Sequence, residues 1–235
     1  MLLDSYKILL PIFNSLAPQL FNSSNVNLDI AFSAQQKSTV GFIIKVVRII
    51  GGIYRGRRLQ TSNGLDVRPT SDRLRETLFN ILAPQIRQAR FLDLCAGSGA
   101  IGMEALSRHA AAVTFVEQSR RASEVIKANL QTLKIGDEAR ILNRDVLAAI
   151  KQFDEAGETF DLIYFDPPYA SDLYAPVLTK LTASHIIHED SLIIVEHRAK
   201  MALESEYGDW KLYRQVKQGE SALAFYALAA ASSDD

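Results

Sequence analysis

From residue 90 onward, short apolar runs alternate with amphipathic stretches. Arg90–Leu94, Ala112–Val116, Ala139–Leu142, Phe160–Phe165 and Leu192–Val195 predict strands. Ala100–Arg108, Arg120–Leu133, Val146–Phe153 and Leu173–Leu181 predict the helices between them. This alternation predicts an α/β fold, a doubly wound and mostly parallel sheet with right-handed crossovers. Lys211–Val216 and Ala222–Leu228, separated by Gln218-Gly219, predict a closing antiparallel hairpin, with a frayed tail over 229–235. Upstream, Ile49–Tyr54 followed by Arg55–Leu59 predicts a small β element, and Asn63-Gly64 a turn. Asp72–Leu82 predicts a helix with Thr70 or Ser71 as N-cap and Leu74, Leu78 and Ile81 on one face, ending before Pro84. Residues 1–46 lack periodicity, charge and turn chemistry, and weak order is expected there.

These patterns divide the 235 residues into a leader (1–46), a basic extension (47–89), a main domain (90–228) and the tail (229–235). Apolar content of 48% and charged content of 23% are ordinary globular values. The single cysteine, Cys95, excludes an intramolecular disulfide framework and fits a reducing cytoplasm. His109, His185, His188 and His197 show no metal-ligand spacing with it, so no metal is expected. No apolar run reaches membrane-spanning length.

The net charge of −1 conceals an asymmetry. Between Lys45 and Arg90 ten basic residues face three acidic ones, a local +7 that leaves −8 for the remainder. A basic appendage on an acidic body suits a polyanion, because phosphate contacts supply most nucleic-acid affinity. Most of the ten are arginines, which favour bidentate phosphate contacts and base stacking. Arg55, Arg57, Arg58, Arg68, Arg73 and Arg75 are the candidate RNA contacts.

Two loops carry the candidate chemistry. Leu162–Phe165 ends at Asp166-Pro167-Pro168-Tyr169, where the prolines remove backbone donors and stiffen the chain. At the carboxyl end of a central strand this loop stands where open α/β sheets bind ligands. The Asp166 carboxylate and the Pro167 carbonyl can each accept one hydrogen of an exocyclic amine, which frees the nitrogen lone pair for attack. Tyr169 can stack on the base, a contact worth roughly 1–3 kcal/mol.

The other loop is Asp93–Gly102. Gly97, Gly99 and Gly102 match the dinucleotide pattern G-x-G-x-x-G, and Glu117 at the end of the next strand can accept from two ribose hydroxyls. The glycines alone leave NAD open. Asp93 argues against it, because a carboxylate facing the helix entrance would oppose a pyrophosphate. It suits the amino and sulfonium groups of S-adenosylmethionine, with Gly97, Ser98 and Gly99 forming the turn around them. Asp145 fits an adenine contact and a helix N-cap equally well.

Arg48–Leu59, Arg68–Leu82, Asp93–Gly102 with Glu104–Arg108, and Asp166–Tyr169 together resemble the bacterial 16S ribosomal RNA guanine-N2 methyltransferases. The resemblance runs from about Val47 to Leu228. It implies a class I, Rossmann-like methyltransferase fold and S-adenosylmethionine as donor. The implied substrate is 16S rRNA in a partly or fully assembled small ribosomal subunit, acted on by a cytoplasmic monomer. It also implies that Asp93, Gly97 and Gly99 hold the methionine part, Glu117 the ribose, Asp145 the adenine, and Asp166 to Tyr169 the guanine. Cys95 stands where an aromatic residue is common in that family. The family pattern opens with Met-Arg-Ile-Ile-Gly-Gly where this chain reads Val47-Arg48-Ile49-Ile50-Gly51-Gly52, so initiation at Val47 is expected, the alternative being a leader that touches the ribosome. Rival readings are an adenine-N6 or glutamine-amide methyltransferase, and an RNA-binding module on an inactive methyltransferase fold.

Overall fold

The computed structural model describes residues 47–61, 71–168 and 171–229, all within a unit spanning Ile44–Asp235. The expected leader over 1–46, the Asn63-Gly64 turn, Arg68, Thr70, Tyr169 and tail residues 230–235 lie outside the described residues.

Eight strands form one sheet: β3 (Arg90–Leu94), β4 (Ala112–Val116), β5 (Ala139–Leu142), β6 (Leu162–Phe165), β7 (Leu192–Arg198), β8 (Glu206–Tyr207), β9 (Trp210–Gln218) and β10 (Ser221–Leu228). Their order is β5-β4-β3-β6-β7-β10-β9-β8, parallel from β5 through β7 and antiparallel beyond. The chain therefore winds outward from β3 in one direction and, after β5, returns to its other side with β6. That reversal makes the β3/β6 seam the topological switch point, the place where open α/β sheets form ligand crevices.

Helices cover both faces. α1 (Asp72–Ile81), α2 (Ala100–Ser107) and α3 (Arg120–Leu133) bury Leu74, Leu78, Phe79, Met103 and Ile126 against Phe91, Phe115 and Tyr164 on one face. α4 (Val146–Glu155) and α5 (Tyr174–Thr182) bury Ile150, Phe153, Val177 and Leu178 against Leu92, Ile163 and Phe165 on the other. Side chains alternate across a strand, so each of the apolar runs serves both cores, and this is why they read as unbroken hydrophobic stretches.

The expected strands and helices are present with small shifts at their ends. Phe160 leaves the ladder: its N–H donates to the Ile186 carbonyl and its ring packs edge-on against Phe153 at 5.2 Å. β7 runs on to Arg198 because β10 pairs with it as far as Ser221↔Arg198. β8 is two residues long, too short to leave a pattern.

The basic extension differs more. Only Val47↔Leu59 and Arg48↔Arg58 pair, as strands β1 (Val47–Arg48) and β2 (Arg58–Leu59), and residues 51–56 form bends and turns. Val47, Ile49 and Leu59 join the same core as Phe91, so the expected boundary at residue 89 separates no core. The loop is fastened to α2. The fully buried Glu104 carboxylate accepts from Ile50 N (2.7 Å), Gly51 N (2.8 Å) and Arg108 Nε (2.9 Å). Gly52, at φ +74°, lies so close to α2 that a Cβ would stand 1.8 Å from the Ser107 carbonyl oxygen.

Candidate active site

β3 carries the donor side of the site. Past Leu94 the chain turns through Cys95 (φ +62°), Gly97 (φ +56°) and Gly99 (φ +76°), a left-handed path that glycine adopts without a Cβ clash. A Cβ on Gly97 would meet nothing within 4 Å, so this turn faces open space. One on Gly102 would lie 2.3 Å from Phe115 Cε1, so that glycine lets α2 close onto β4.

Carboxylates already occupy the amides of this turn. Asp93 Oδ2 accepts from Gly102 N at 2.9 Å, and Glu117 Oε2 accepts from Gly97 N at 2.8 Å while Oε1 takes Ser119 N at 2.8 Å. A pyrophosphate would need those same donors and would meet two carboxylates. A ligand with cationic groups and hydroxyls fits, which supports the S-adenosylmethionine reading over NAD. Burial pushes the Asp93 carboxyl up to about 7; the Gly102 hydrogen bond opposes that rise, and repulsion from Glu117 adds to it. Burial likewise pushes the Cys95 thiol up, reinforced by Glu117, Asp166, Asp93 and Asp145, so the thiol stays protonated.

Asp145 is the N-cap of α4, and both cap bonds, from Leu147 N (2.9 Å) and Ala148 N (3.1 Å), fall on Oδ1. It is exposed, which leaves its outer edge open to a ligand. Three residues of this region had no reading in the sequence. Asn143 Nδ2 donates to the Glu117 carbonyl (2.8 Å) and to Ser123 Oγ (3.0 Å), which fixes the backbone of Glu117. The buried Asn129 side chain exchanges two bonds with Gln60 and donates to Ser98 O at 3.2 Å, joining the extension to the glycine turn.

β6 carries the acceptor side. Leu94 pairs with Phe165, and Asp166 N approaches the Leu94 carbonyl at 3.4 Å, so the two loops leave the sheet side by side. Pro167 is buried and Pro168 exposed. The Pro168 carbonyl accepts from Ser171 N at 2.9 Å, and among the described residues no backbone donor takes the Pro167 carbonyl. Asp166 is partly exposed in a carboxylate-rich setting: burial, then repulsion from Glu196 and Asp93, holds its carboxyl well above the ordinary range. Glu196 is the third unforeseen residue, buried on β7 with Oε2 accepting from Tyr164 Oη at 2.5 Å.

The arginines divide. Arg55, Arg57, Arg58 and Arg73 are exposed, and Arg57 Nη2 donates to the Thr132 carbonyl at the end of α3. Arg75 corrects the expectation of RNA contact. It is 1% exposed and its Nη2 bonds Arg48 O and Asp72 Oδ1, both at 2.8 Å. Its charge is attracted by the buried Glu104 and the exposed Asp72, and its burial puts it out of reach of a phosphate. Among the described residues no group of three or more His, Cys, Asp or Glu side chains is placed to hold a metal. No helix there is long and apolar enough to cross a membrane.

The family model described as Conserved hypothetical protein 95 matches residues 47–227. The ribosomal RNA small subunit methyltransferase D of Escherichia coli strain K12 is 39% identical over 80% of this chain and 93% of its own length. The protein of that name from Haemophilus influenzae is 39% identical over 77% of this chain and 93% of its own. The solved structure of the Escherichia coli protein yhhF superposes with a TM-score of 0.71 at 38% identity, covering 80% of this chain and all of that one. The chain thus belongs to the Conserved hypothetical protein 95 family, that of the bacterial 16S rRNA guanine-N2 methyltransferases its motifs resemble.

Proposed function

We propose that this chain, an S-adenosylmethionine-dependent methyltransferase, methylates the exocyclic N2 of one guanine of 16S rRNA within a small-subunit particle. The observation that carries the reading is the β3/β6 seam, where Leu94 and Phe165 pair and the glycine turn and the Asp166 loop emerge together. S-adenosylmethionine, when bound, supplies an electrophilic methyl group. Asp93 faces its cationic groups, Gly97, Ser98 and Gly99 give it room, Glu117 accepts from its ribose and Asp145 from its adenine amine.

Across the seam, Asp166 and the Pro167 carbonyl accept the two hydrogens of the guanine amine. This turns the nitrogen lone pair out of conjugation and toward the donor. Pro168 stiffens the loop and Tyr169 stacks on the base. The chain's contribution is mainly positioning, together with acceptors preorganised for the charge that develops on the amine. A guanine amine is inaccessible in a paired duplex, so the target is unpaired or flipped out. Arg55, Arg57, Arg58, Arg68 and Arg73 contact phosphates or stack on RNA. The protein acts as a cytoplasmic monomer and without a metal.

The test is incubation of undermodified small-subunit particles, and separately naked rRNA, with labelled donor, followed by mapping of the methyl group. Label on guanine N2 in particles is the expected result. Label on adenine N6 or on a glutamine amide, or donor binding without transfer, would replace this reading with one of its rivals.

A further inference from the structure

Asn129 stands where an apolar residue would serve the packing of α3. It shares the buried face with Ile126 and Leu133, and asparagine is a poor helix former. The residue is 1% exposed, so an unpaired amide there would be costly, and each of its polar atoms is bonded. Its Oδ1 accepts from Gln60 N at 2.7 Å, and its Nδ2 donates to Gln60 O at 3.0 Å and to Ser98 O at 3.2 Å. Only one orientation of the amide allows this, because Gln60 N can only donate and the two carbonyls can only accept. Toward Gln60 the side chain acts as a neighbouring strand would, giving one bond and taking one. Toward Ser98 it holds one end of a peptide whose other end is also held, since Gly99 N donates to Ala96 O at 2.7 Å. That peptide leads into α2 through Gly99, at φ +76°. The same helix face backs the turn a second time, for a Cβ on Gly99 would stand 3.2 Å from Ile126 Cγ1.

We propose that Asn129 is a positioning residue for the donor, one that keeps the Ser98–Gly99 peptide in its turn for as long as Gln60 holds Asn129. The proposal rests on the reading above that Gly97, Ser98 and Gly99 receive S-adenosylmethionine. Without Gln60, a buried carbonyl oxygen and one amide hydrogen would lose their partners. That cost favours rotation of the side chain to new partners, away from Ser98. The segment after β2 therefore does more than follow the arginines: it keeps the cofactor turn in shape. By linkage the converse holds, and a donor that orders the turn makes the Gln60 bonds harder to open. Gln60 lies beyond the bends of 51–56, whose neighbours Ile50 and Gly51 are fastened by Glu104, so this tie is separate from that one.

Hydrogen exchange on the full chain reads the link without turnover, with S-adenosylhomocysteine as ligand. In the wild type, saturating ligand should slow exchange of the amides of 57–61 by about fivefold or more, although none of them belongs to the donor site. Asn129→Leu keeps a side chain of similar size and loses the bonds to Gln60 and Ser98. It should bind S-adenosylhomocysteine about 2–10-fold more weakly by calorimetry, and ligand should then leave exchange at 57–61 unchanged. Gln60→Pro reaches the turn from the other side: it deletes the N–H that Asn129 Oδ1 accepts and should weaken the ligand likewise. An asparagine with only a structural role would lower stability without making 57–61 respond to ligand. Wild-type amides of 57–61 indifferent to ligand overturn the proposal, and that result stands even if a variant fails to fold. So does normal ligand affinity in folded Asn129→Leu or Gln60→Pro. Ligand-dependent protection of 57–61 with no methyl on guanine N2 overturns the substrate reading and leaves the role of Asn129 standing.

Discussion

The Asp93 carboxylate accepts the Gly102 amide at 2.9 Å, which ties the end of β3 to the first turn of α2. The same carboxyl titrates near 7 because burial opposes its charge. A cationic donor binds the ionised form, so donor affinity should rise with pH up to about 7 and level off above, by at most about tenfold per pH unit for one linked proton. Calorimetry in buffers of different ionisation enthalpy should record proton release on binding below that pH. A pH-independent affinity would remove Asp93 from the donor site.

In the unliganded protein the same shift acts on stability with the opposite sense. An unfolded aspartate loses its proton near 3.9, while the folded Asp93 keeps it to about 7. Between those values the native state binds the extra proton, so stability falls as pH rises, by up to about 1.4 kcal/mol per unit. Asp93→Asn should flatten that part of a denaturation-versus-pH series while weakening the donor.

Glu117 joins the glycine turn to the end of β4 through Gly97 and Ser119. Glu117→Ala should weaken S-adenosylmethionine and leave RNA affinity unchanged. The loss should approach about 1.5–3 kcal/mol per charge-assisted bond, read by calorimetry. Deoxyribose analogues of the donor should lose the discrimination that the mutant loses. Normal donor binding by the mutant would make Glu117 a structural strut alone.

For the arginines, salt dependence separates surface from core. Charge reversal of Arg55 with Arg58 should reduce the slope of log K against log salt by roughly 0.7–0.9 per lost phosphate contact. Arg75→Ala should instead lower the unfolding midpoint, because it removes a buried side chain and its bonds to Asp72 and the Arg48 carbonyl. An unchanged slope in the double reversal would move the RNA surface elsewhere.

Gly52→Ala places a methyl group 1.8 Å from the Ser107 carbonyl oxygen at a left-handed φ. It should release the arginine loop and cost RNA affinity, with donor affinity retained. Limited proteolysis of residues 49–57 checks the release. A loop as protected as in the wild type would show that α2 does not hold it.

The parallel sheet is legible in the sequence because β3, β4, β6 and β7 feed two cores, and this leaves continuous apolar runs that polar surface cannot imitate. Glu117 is legible through its fixed distance from the glycine turn. Arg75 was misjudged by counting charge without asking which face it occupies. It adjoins Leu74 and precedes Leu78 by one turn, and those leucines mark the buried side of α1. Glu104, Asn129 and Glu196 are single polar residues in apolar or helical surroundings. The backbone partners of Glu104 lie 53 and 54 positions away, those of Asn129 lie 31 and 69 away, and the Tyr164 partner of Glu196 lies 32 away, so no local pattern identifies them.

The strand order also fixes when the site can exist during synthesis. β3 has β4 on one side, and its other neighbour, β6, lies some 70 positions further along the chain. Chains emerge amino end first, so the glycine turn and Glu117 leave the ribosome well before Asp166 is made. Through that interval the far edge of β3 carries unpaired backbone groups, the kind of edge that other strands can capture. Arrival of Leu162–Phe165 removes that hazard and completes the seam in one step. The molecule cannot place an acceptor beside the donor until it has also covered its most exposed edge.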